Sequence, residues 1–276
     1  METSLPAGFP YGQLLWHDSQ VTWLLDCDGV IWLADDPIAG AHEAVRRLRE
    51  AGERVIFLTN NSHPRRRDHL EKLARLKIPS SPSDIVSSAM AAARLVKAGE
   101  RALVLGGPGL HEELEARGAD VLEPGEGDPT RADVVVVGMD LGFNFQRLAA
   151  ATTALRAGAR LVATNEDATF PTSHGLLPGS GSVVAAVATA GGVEPIVAGK
   201  PYQPVADLLG EIAPDVSIMV GDRPSTDGAF ARRLGVSFGL VLTGVTPPGH
   251  GRLDPEPDIE AADLASLVDV LLSNKG

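Results

Sequence analysis

Apolar runs rich in β-branched residues alternate along the chain with stretches in which small and apolar residues recur at helical spacing, such as 64–76 and 88–97. This alternation is typical of an α/β protein with a parallel sheet. The runs fall into two sets, because the first pattern breaks off near residue 100 and resumes near residue 194. The first set comprises predicted strands 21–25, 54–58, 195–198, 216–220 and 236–242, and the second comprises 102–105, 134–137 and 161–163.

The two interleaved sets predict a two-domain chain. We expect residues 1–99 and 195–276 to form a doubly wound, Rossmann-like parallel-sheet core, with an α/β domain inserted at residues 100–194. A length of 276 residues agrees with two domains of roughly 150 residues each. Binding sites in such sheets form where the carboxyl ends of the strands meet the following loops, so the polar segments after the strands are the first candidates.

Two aspartates, Asp26 and Asp28, follow the first predicted strand directly. Carboxylates so close together repel each other unless a cation binds them, and a hard divalent ion such as Mg²⁺ prefers oxygen ligands of this kind. The alternative is an ordinary turn stabilised by aspartate side chains. Asp222 follows predicted strand 216–220 and offers a third carboxylate. Its alternative is a turn residue, with Asp227 capping the next helix.

The ends of two further predicted strands carry groups suited to an anion. Thr59, Asn60 and Asn61 lie just before a predicted helix, where a hydroxyl, backbone N–H groups and the helix dipole favour phosphate. Capping of that helix is the alternative. Lys200 follows predicted strand 195–198 and can meet a phosphate as a point charge, whereas a single lysine is more often a solvated surface residue. The coincidence at four strand ends favours one shared site.

These groups match the needs of phosphoryl transfer. A carboxylate nucleophile attacks phosphorus and forms an aspartyl-phosphate, which divides one difficult displacement into two. A divalent cation, a lysine and backbone N–H groups neutralise charge on the phosphoryl oxygens. A second carboxylate protonates the leaving alcohol and later deprotonates the attacking water.

The composition of the chain narrows the classes of molecule that it could bind. Lys and Arg number 24 and Asp and Glu number 36, so the formal net charge is −12. Such an acidic chain lacks the basic face that nucleic acids and anionic lipid surfaces require, and no apolar run approaches the roughly 18 residues of a membrane span. Cys27 is the only cysteine, and residues 1–20 lack the Lys or Arg that opens a signal peptide. We expect a cytoplasmic protein that binds neither nucleic acid nor membrane.

The motifs resemble those of the haloacid dehalogenase-like (HAD) superfamily. The similarity runs from about residue 21 to about residue 246 and extends to subfamily IIA, which includes NagD-like enzymes and phosphatases of 4-nitrophenyl phosphate, phosphoglycolate and pyridoxal phosphate. The matching segments are Asp26-Cys27-Asp28-Gly29-Val30, Thr59-Asn60-Asn61, Ala163-Thr164-Asn165-Glu166-Asp167, Pro178-Gly179-Ser180-Gly181-Ser182, Lys200, Gly221-Asp222 with Thr226-Asp227, and Leu242-Thr243-Gly244.

The resemblance implies a role for each candidate. Asp26 would be the nucleophile and a Mg²⁺ ligand. Asp28 would be the general acid and base and would bind the metal through its backbone carbonyl. Asp222 would be the third protein ligand, and Asp227 would support the ligands without binding the metal directly. The phosphate would be bound by Thr59, Asn60, Asn61 and Lys200.

The same resemblance implies that the inserted domain is a cap that closes over the Mg²⁺ site, excludes water and contacts the substrate. The loop from Asn165 to Leu177 would face the leaving group, with Phe170 at the substrate-contacting position. The pyridoxal phosphatases carry histidine there, which puts that substrate in doubt, and Phe170 is equally well explained as a core aromatic of the cap. A homodimer formed through the cap is also implied.

We therefore expect a Mg²⁺-dependent phosphatase of small phosphate monoesters, of the phosphoglycolate, glycerol phosphate, nucleotide or 4-nitrophenyl phosphate type. Three alternatives stay open at this point. One is a phosphotransferase or mutase that uses a second sugar phosphate in place of water, and another is a protein that binds phosphorylated metabolites without turnover. The third, a dehalogenase, is disfavoured by Asp28, because dehalogenating relatives lack the second aspartate of this motif.

Overall fold

A computed structural model describes residues 21–172 and 174–273, so the prediction for residues 1–20 lies outside the described residues. The strands are β1 (Thr22–Asp26), β2 (Trp32–Leu33), β3 (Asp36–Pro37), β4 (Arg54–Thr59), β5 (Ile85–Ser87), β6 (Arg101–Leu105), β7 (Asp120–Leu122), β8 (Val134–Val137), β9 (Arg160–Ala163), β10 (Thr169–Thr172), β11 (Gly175–Pro178), β12 (Ile196–Val197), β13 (Val216–Gly221), β14 (Ser237–Val241) and β15 (Ile259–Ala261).

The α-helices are α1 (Ala41–Glu50), α2 (Arg66–Arg75), α3 (Ser88–Arg94), α4 (Pro108–Ala116), α5 (Phe145–Arg156), α6 (Ser180–Gly191), α7 (Gln203–Ile212), α8 (Ala229–Leu234) and α9 (Leu264–Ser273). The helical stretches predicted at 64–76 and 88–97 contain α2 and α3, and all the α-helices except α9, which follows the last strand, lie between strands.

The chain divides into two compact units, residues 1–57 with 213–276 and residues 58–212. In the first unit β15, β14, β13 and β1 pair side by side in parallel, and β4 lies next to β1. Every residue of β1 is buried, as expected for a parallel strand covered on both faces. Because Leu25 pairs with Val220, β1 and β13 end at the same edge of the sheet.

The second unit contains a five-stranded parallel sheet in the order β12-β9-β8-β6-β7. Its central strand β8 consists of four fully buried valines, around which residues such as Leu105, Leu155 and Leu161 form a hydrophobic core. β-branched side chains pack well on a pleated surface of this kind. The predicted α/β class with parallel sheets is confirmed.

One predicted strand pairs differently from what the pattern indicated. Strand 195–198 was expected to resume the first set, but Ile196 pairs with Val162 of β9, so β12 belongs to the second sheet. A short apolar run carries no information about which sheet will accept it. The division of the core and insertion at residues 99/100 and 194/195 stays a prediction.

The antiparallel strands were not predicted, and neither were the three-residue strands β5, β7 and β15. The antiparallel pairs β2–β3 and β10–β11 consist of strands of two to four residues. Such segments are too short to show a period in the sequence. Among the described residues, no helix has both the length and the apolar character needed to cross a bilayer.

Candidate active site

Three buried carboxylates meet at the carboxyl edge of the first unit's sheet. Asp26 ends β1, Asp222 follows β13 directly, and Asp227 lies in the π-helical turn Pro224–Gly228. One carboxylate oxygen from each lies within 4.8 Å of the others. Their exposed fractions are only 8%, 3% and 1% respectively. The structure thus brings together three of the four predicted aspartates.

Hydrogen bonds from two loops hold Asp222 and Asp227 in place. The Val245 N–H donates to Asp222 Oδ2, and the Thr246 hydroxyl donates to the Asp222 carbonyl at 2.6 Å. The Arg223 N–H donates to Asp227 Oδ2 at 3.1 Å. These bonds satisfy part of the hydrogen-bonding capacity of the carboxylates while holding them close together.

Glycines provide the room that Asp222 needs. A Cβ atom on Gly244 would lie 1.9 Å from Asp222 Oδ2, and one on Gly29 would lie 2.4 Å from the same oxygen. Gly29 also has a φ of 89°, which other residues rarely adopt. The Thr243 hydroxyl donates to the Gly29 carbonyl, which links the two glycine-bearing loops.

The donor set of this cluster fits a hard divalent cation. Mutual repulsion makes three buried carboxylates costly unless a cation is present, and carboxylate oxygens are ligands that Mg²⁺ prefers. Asp28 is half-buried in the turn after β1, and its Oδ1 accepts a hydrogen bond from Trp32 Nε1 at 3.0 Å. This bond holds the Asp28 side chain in a defined orientation.

In the second unit, the segment 59–61, which we call the phosphate loop, adjoins Lys200. The Lys200 N–H donates to Asn60 Oδ1 at 2.9 Å, and Asn60 Nδ2 donates to the Lys200 carbonyl at 3.1 Å. Lys200 is only 2% exposed, which rules out the alternative of a solvated surface lysine. Thr59 is equally buried, and its Oγ1 accepts from the Asn61 N–H at 3.0 Å.

A buried histidine of α2 lies against the phosphate loop. Burial lowers the pKa of His69 to about 4, and the positive charge of Lys72 acts in the same direction. A hydrogen bond with the backbone of Asn61 opposes part of this pKa shift. His69 is therefore neutral at neutral pH, and it connects α2 to the loop.

Phe170 lies on β10, opposite Leu177 of β11 in the antiparallel hairpin. Phe170 is half-buried, whereas Leu176 and Leu177 are exposed. The predicted loop 165–177 is therefore in large part a β-hairpin, preceded by a short turn. Half-burial fits both explanations offered for Phe170, and its role stays a prediction.

Asn165 and Asp167 lie in the loop expected to face the leaving group, but neither was predicted to contact the phosphate loop. Asn165 Nδ2 donates to the Asn60 carbonyl at 2.6 Å, and Asn60 Nδ2 donates to Asp167 Oδ2 at 2.8 Å. Their partner lies more than a hundred positions away along the chain. Local pattern alone therefore offers no signal of the contact.

Comparisons with known proteins match the chain to haloacid dehalogenase-like hydrolases and to a phosphatase. A haloacid dehalogenase-like hydrolase family model matches residues 23–120, and a HAD-hydrolase-like model matches residues 197–267. The chain is 38% identical over 265 residues to glycerol-3-phosphate phosphatase of Gallus gallus, covering 87% of this chain and 85% of the relative.

Solved structures of phosphatases also resemble the chain. The chain resembles p-nitrophenyl phosphatase from Archaeoglobus fulgidus with a TM-score of 0.79 and 32% identity, covering 91% of this chain and 99% of that one. It resembles glycerol phosphate phosphatase from Mycobacterium tuberculosis, solved in complex with magnesium, with a TM-score of 0.80 and 34% identity, covering 90% of this chain and 76% of that one.

Replacing Gly244 by alanine should impair metal binding, because the new Cβ would lie 1.9 Å from Asp222 Oδ2 and must displace that carboxylate. We expect Mg²⁺ affinity to fall by at least about tenfold, as when groups supporting a metal ligand are lost. Titration calorimetry measures this directly. Gly251→Ala is the matched control, since nothing lies within 4 Å of its Cβ position. Equal Mg²⁺ affinity of Gly244→Ala and wild type would refute this account of the cluster.

The low pKa of His69 predicts a loss of stability in acid. Below its ordinary pKa of 6.5 the unfolded chain protonates this histidine, whereas the folded chain does not until about pH 4. Falling pH therefore favours unfolding, and this group should remove about 2 kcal/mol of unfolding free energy between about pH 7.5 and about pH 5. Urea unfolding of His69→Gln should show a correspondingly shallower pH dependence than that of the wild type. Identical slopes for His69→Gln and wild type would contradict the assignment.

Proposed function

The chain belongs to the haloacid dehalogenase-like hydrolase family and is a Mg²⁺-dependent phosphoric monoester hydrolase, and we propose that it transfers the phosphoryl group first to Asp26 and then to water. The observation that carries this proposal is the buried cluster of Asp26, Asp222 and Asp227. The three carboxylates can hold a divalent cation, and Asp26 among them can act as the nucleophile.

In the first step an Asp26 carboxylate oxygen attacks phosphorus. The new bond between Asp26 and phosphorus forms as the bond from phosphorus to the ester oxygen breaks, and protonated Asp28 gives its proton to that leaving oxygen. The hydrogen bond from Trp32 Nε1 supports this role, because it orients the Asp28 side chain.

In the second step water attacks phosphorus. Asp28, now a carboxylate, accepts the proton of that water, while the bond between phosphorus and the Asp26 oxygen breaks. Inorganic phosphate leaves, and Asp26 and Asp28 return to their starting states.

The metal ligands in this proposal are Asp26, Asp222 and the backbone carbonyl of Asp28, with Asp227 supporting them. When bound, Mg²⁺ supplies positive charge that offsets the negative charge of the phosphoryl oxygens. The close packing of Gly29 and Gly244 against Asp222 supports its assignment as a ligand, because that packing leaves its carboxylate little freedom to move away.

We assign phosphate binding to the phosphate loop and Lys200, that is, to Thr59, Asn60, Asn61 and Lys200. Burial of the lysine supports this assignment, because a buried ammonium is costly unless it faces an acceptor or an anion. Glycerol phosphate is the first substrate to test, since two of the relatives described above carry that activity in their names.

The remaining parts of the proposal concern the second unit and the assembly. We propose that residues 100–194 act as a cap that excludes water, that Phe170 contacts the leaving group, and that the enzyme is a cytoplasmic homodimer formed through the cap. An exposed apolar hairpin at Leu176 and Leu177 supports a contacting role for this region. Nucleic acids and membranes are not expected partners of a chain with a net charge of −12.

The test is phosphate release from a panel containing glycerol phosphate, phosphoglycolate, a nucleoside monophosphate, a sugar phosphate and 4-nitrophenyl phosphate, with Mg²⁺ and with chelator. Asp26→Asn should lower turnover by at least about 10³-fold, because the nucleophile is lost. The exposed aspartate of β3 gives the matched control Asp36→Asn, which should keep wild-type turnover.

Several results would overturn the proposal. Hydrolysis by Asp26→Asn at a rate near that of wild type would remove Asp26 as nucleophile. Transfer of the phosphoryl group to a second sugar phosphate without release of inorganic phosphate would identify a phosphotransferase. Tight Mg²⁺-dependent binding of an ester that is never cleaved would identify a binding protein.

A further inference from the structure

We infer that Asp167 is a positioning residue that holds Asn60 and, through it, both the phosphate loop and Lys200 in place. This inference rests on the proposed function, because it concerns how the phosphate-binding residues are oriented. Asp167 lies in the turn between β9 and β10, within the loop 165–177 that was expected to face the leaving group, but sequence reasoning assigned Asp167 itself no individual role.

The side chain of Asn60 is bound through both of its polar groups. Its Nδ2 donates to Asp167 Oδ2 at 2.8 Å and to the Lys200 carbonyl at 3.1 Å, while its Oδ1 accepts from the Lys200 N–H at 2.9 Å. Exchanging the two amide atoms would set an N–H group against the Lys200 N–H and an oxygen against the Asp167 carboxylate. Only one orientation satisfies both neighbours. The Lys200 backbone and the Asp167 carboxylate both require it, and Asp167 adds a charged acceptor to this arrangement.

The main chain of Asn60 is held from the same turn. The Asn60 carbonyl accepts from Asn165 Nδ2 at 2.6 Å and from the Ser88 hydroxyl at 2.7 Å. The turn 165–167 therefore binds Asn60 at its side chain and at its backbone, so that Asn60 has little freedom to shift.

Asp167 is itself rigidly placed. Its N–H donates to Asn165 Oδ1 at 3.0 Å, and its carbonyl accepts from the Gly181 N–H at 2.9 Å. A Cβ atom on Gly179 would lie only 2.1 Å from that carbonyl oxygen, so the turn packs closely against the segment leading into α6. Because Asp167 is fixed in this way, its carboxylate can hold the Asn60 side chain in one position.

Asn60 in turn fixes Lys200, whose backbone N–H and carbonyl both bond to the Asn60 side chain. The approach is close, since a Cβ atom on Gly199 would lie 2.6 Å from Asn60 Oδ1. Removing the Asp167 acceptor should therefore loosen Asn60 and displace Lys200. Because Asp167 lies two residues before β10, the same contact also joins the phosphate loop to the hairpin that bears Phe170.

The experiment measures binding of inorganic phosphate to the full-length protein with Mg²⁺ by calorimetry, together with kcat and KM for 4-nitrophenyl phosphate. Asp167→Ala should weaken phosphate binding about tenfold, the effect of losing one hydrogen bond to a charged group. Asp167→Asn should stay within about threefold of wild type, because its amide oxygen can still accept from Asn60. Asp128→Ala is the control, since Asp128 is exposed and bonds only to Thr130 among the described contacts.

A double-mutant cycle tests whether Asp167 acts through Asn60. The variant carrying both Asn60→Ala and Asp167→Ala should bind phosphate no more weakly than Asn60→Ala alone, because the shared interaction is already gone. Additive losses would overturn the inference, and so would wild-type binding by Asp167→Ala or equal losses in Asp167→Ala and Asp167→Asn.

Thermal unfolding checks that each variant folds, and Asp167→Leu, which keeps the shape and removes the acceptor, replaces Asp167→Ala if the alanine variant does not. Failure of the proposed function has a different signature. In that case the wild type itself would neither bind phosphate nor release it from any ester.

Discussion

The repulsion between Asp26, Asp222 and Asp227 is the constraint on which the first unit's site depends. Three carboxylates with oxygens inside 4.8 Å and almost no exposure oppose folding unless a cation offsets their charge. The surrounding chain is built to keep them together. Parallel pairing of β1 with β13 places Asp26 and Asp222 at the same sheet edge. At Gly29 and Gly244 any side chain would clash with the Asp222 carboxylate, so glycine at both positions leaves room for it.

The second unit meets a complementary demand, the burial of a positive charge at Lys200. There, hydrogen bonds to its main chain fix the position of the lysine, whereas the first unit's site needs a cation to offset the repulsion of its carboxylates. Asn60 ties the lysine backbone to the phosphate loop, and Asp167 fixes the orientation of Asn60. Each unit thus holds its own charged groups on a rigid support.

Much of this arrangement could be predicted from the sequence, because strand ends are easily recognised. Apolar runs ending in Asp26 and Asp222, or in Thr59 and Asn60, indicated which side chains would meet at a sheet edge. The contact of Asp167 with Asn60 could not be predicted, since it joins residues separated by 107 positions. Nor could the sheet that receives β12, because a short apolar run pairs equally well with either one.

The central claim is that Asp26 forms a bond to phosphorus, and the most direct measurement is mass spectrometry of the enzyme quenched in acid during turnover with Mg²⁺. The account predicts a peptide containing Asp26 whose mass is increased by one phosphoryl group, present while substrate remains and lost once it is consumed. Fragmentation should locate the group on Asp26. A phosphoryl group on any other residue, or rapid turnover with only unmodified enzyme at every quench time, would contradict the account.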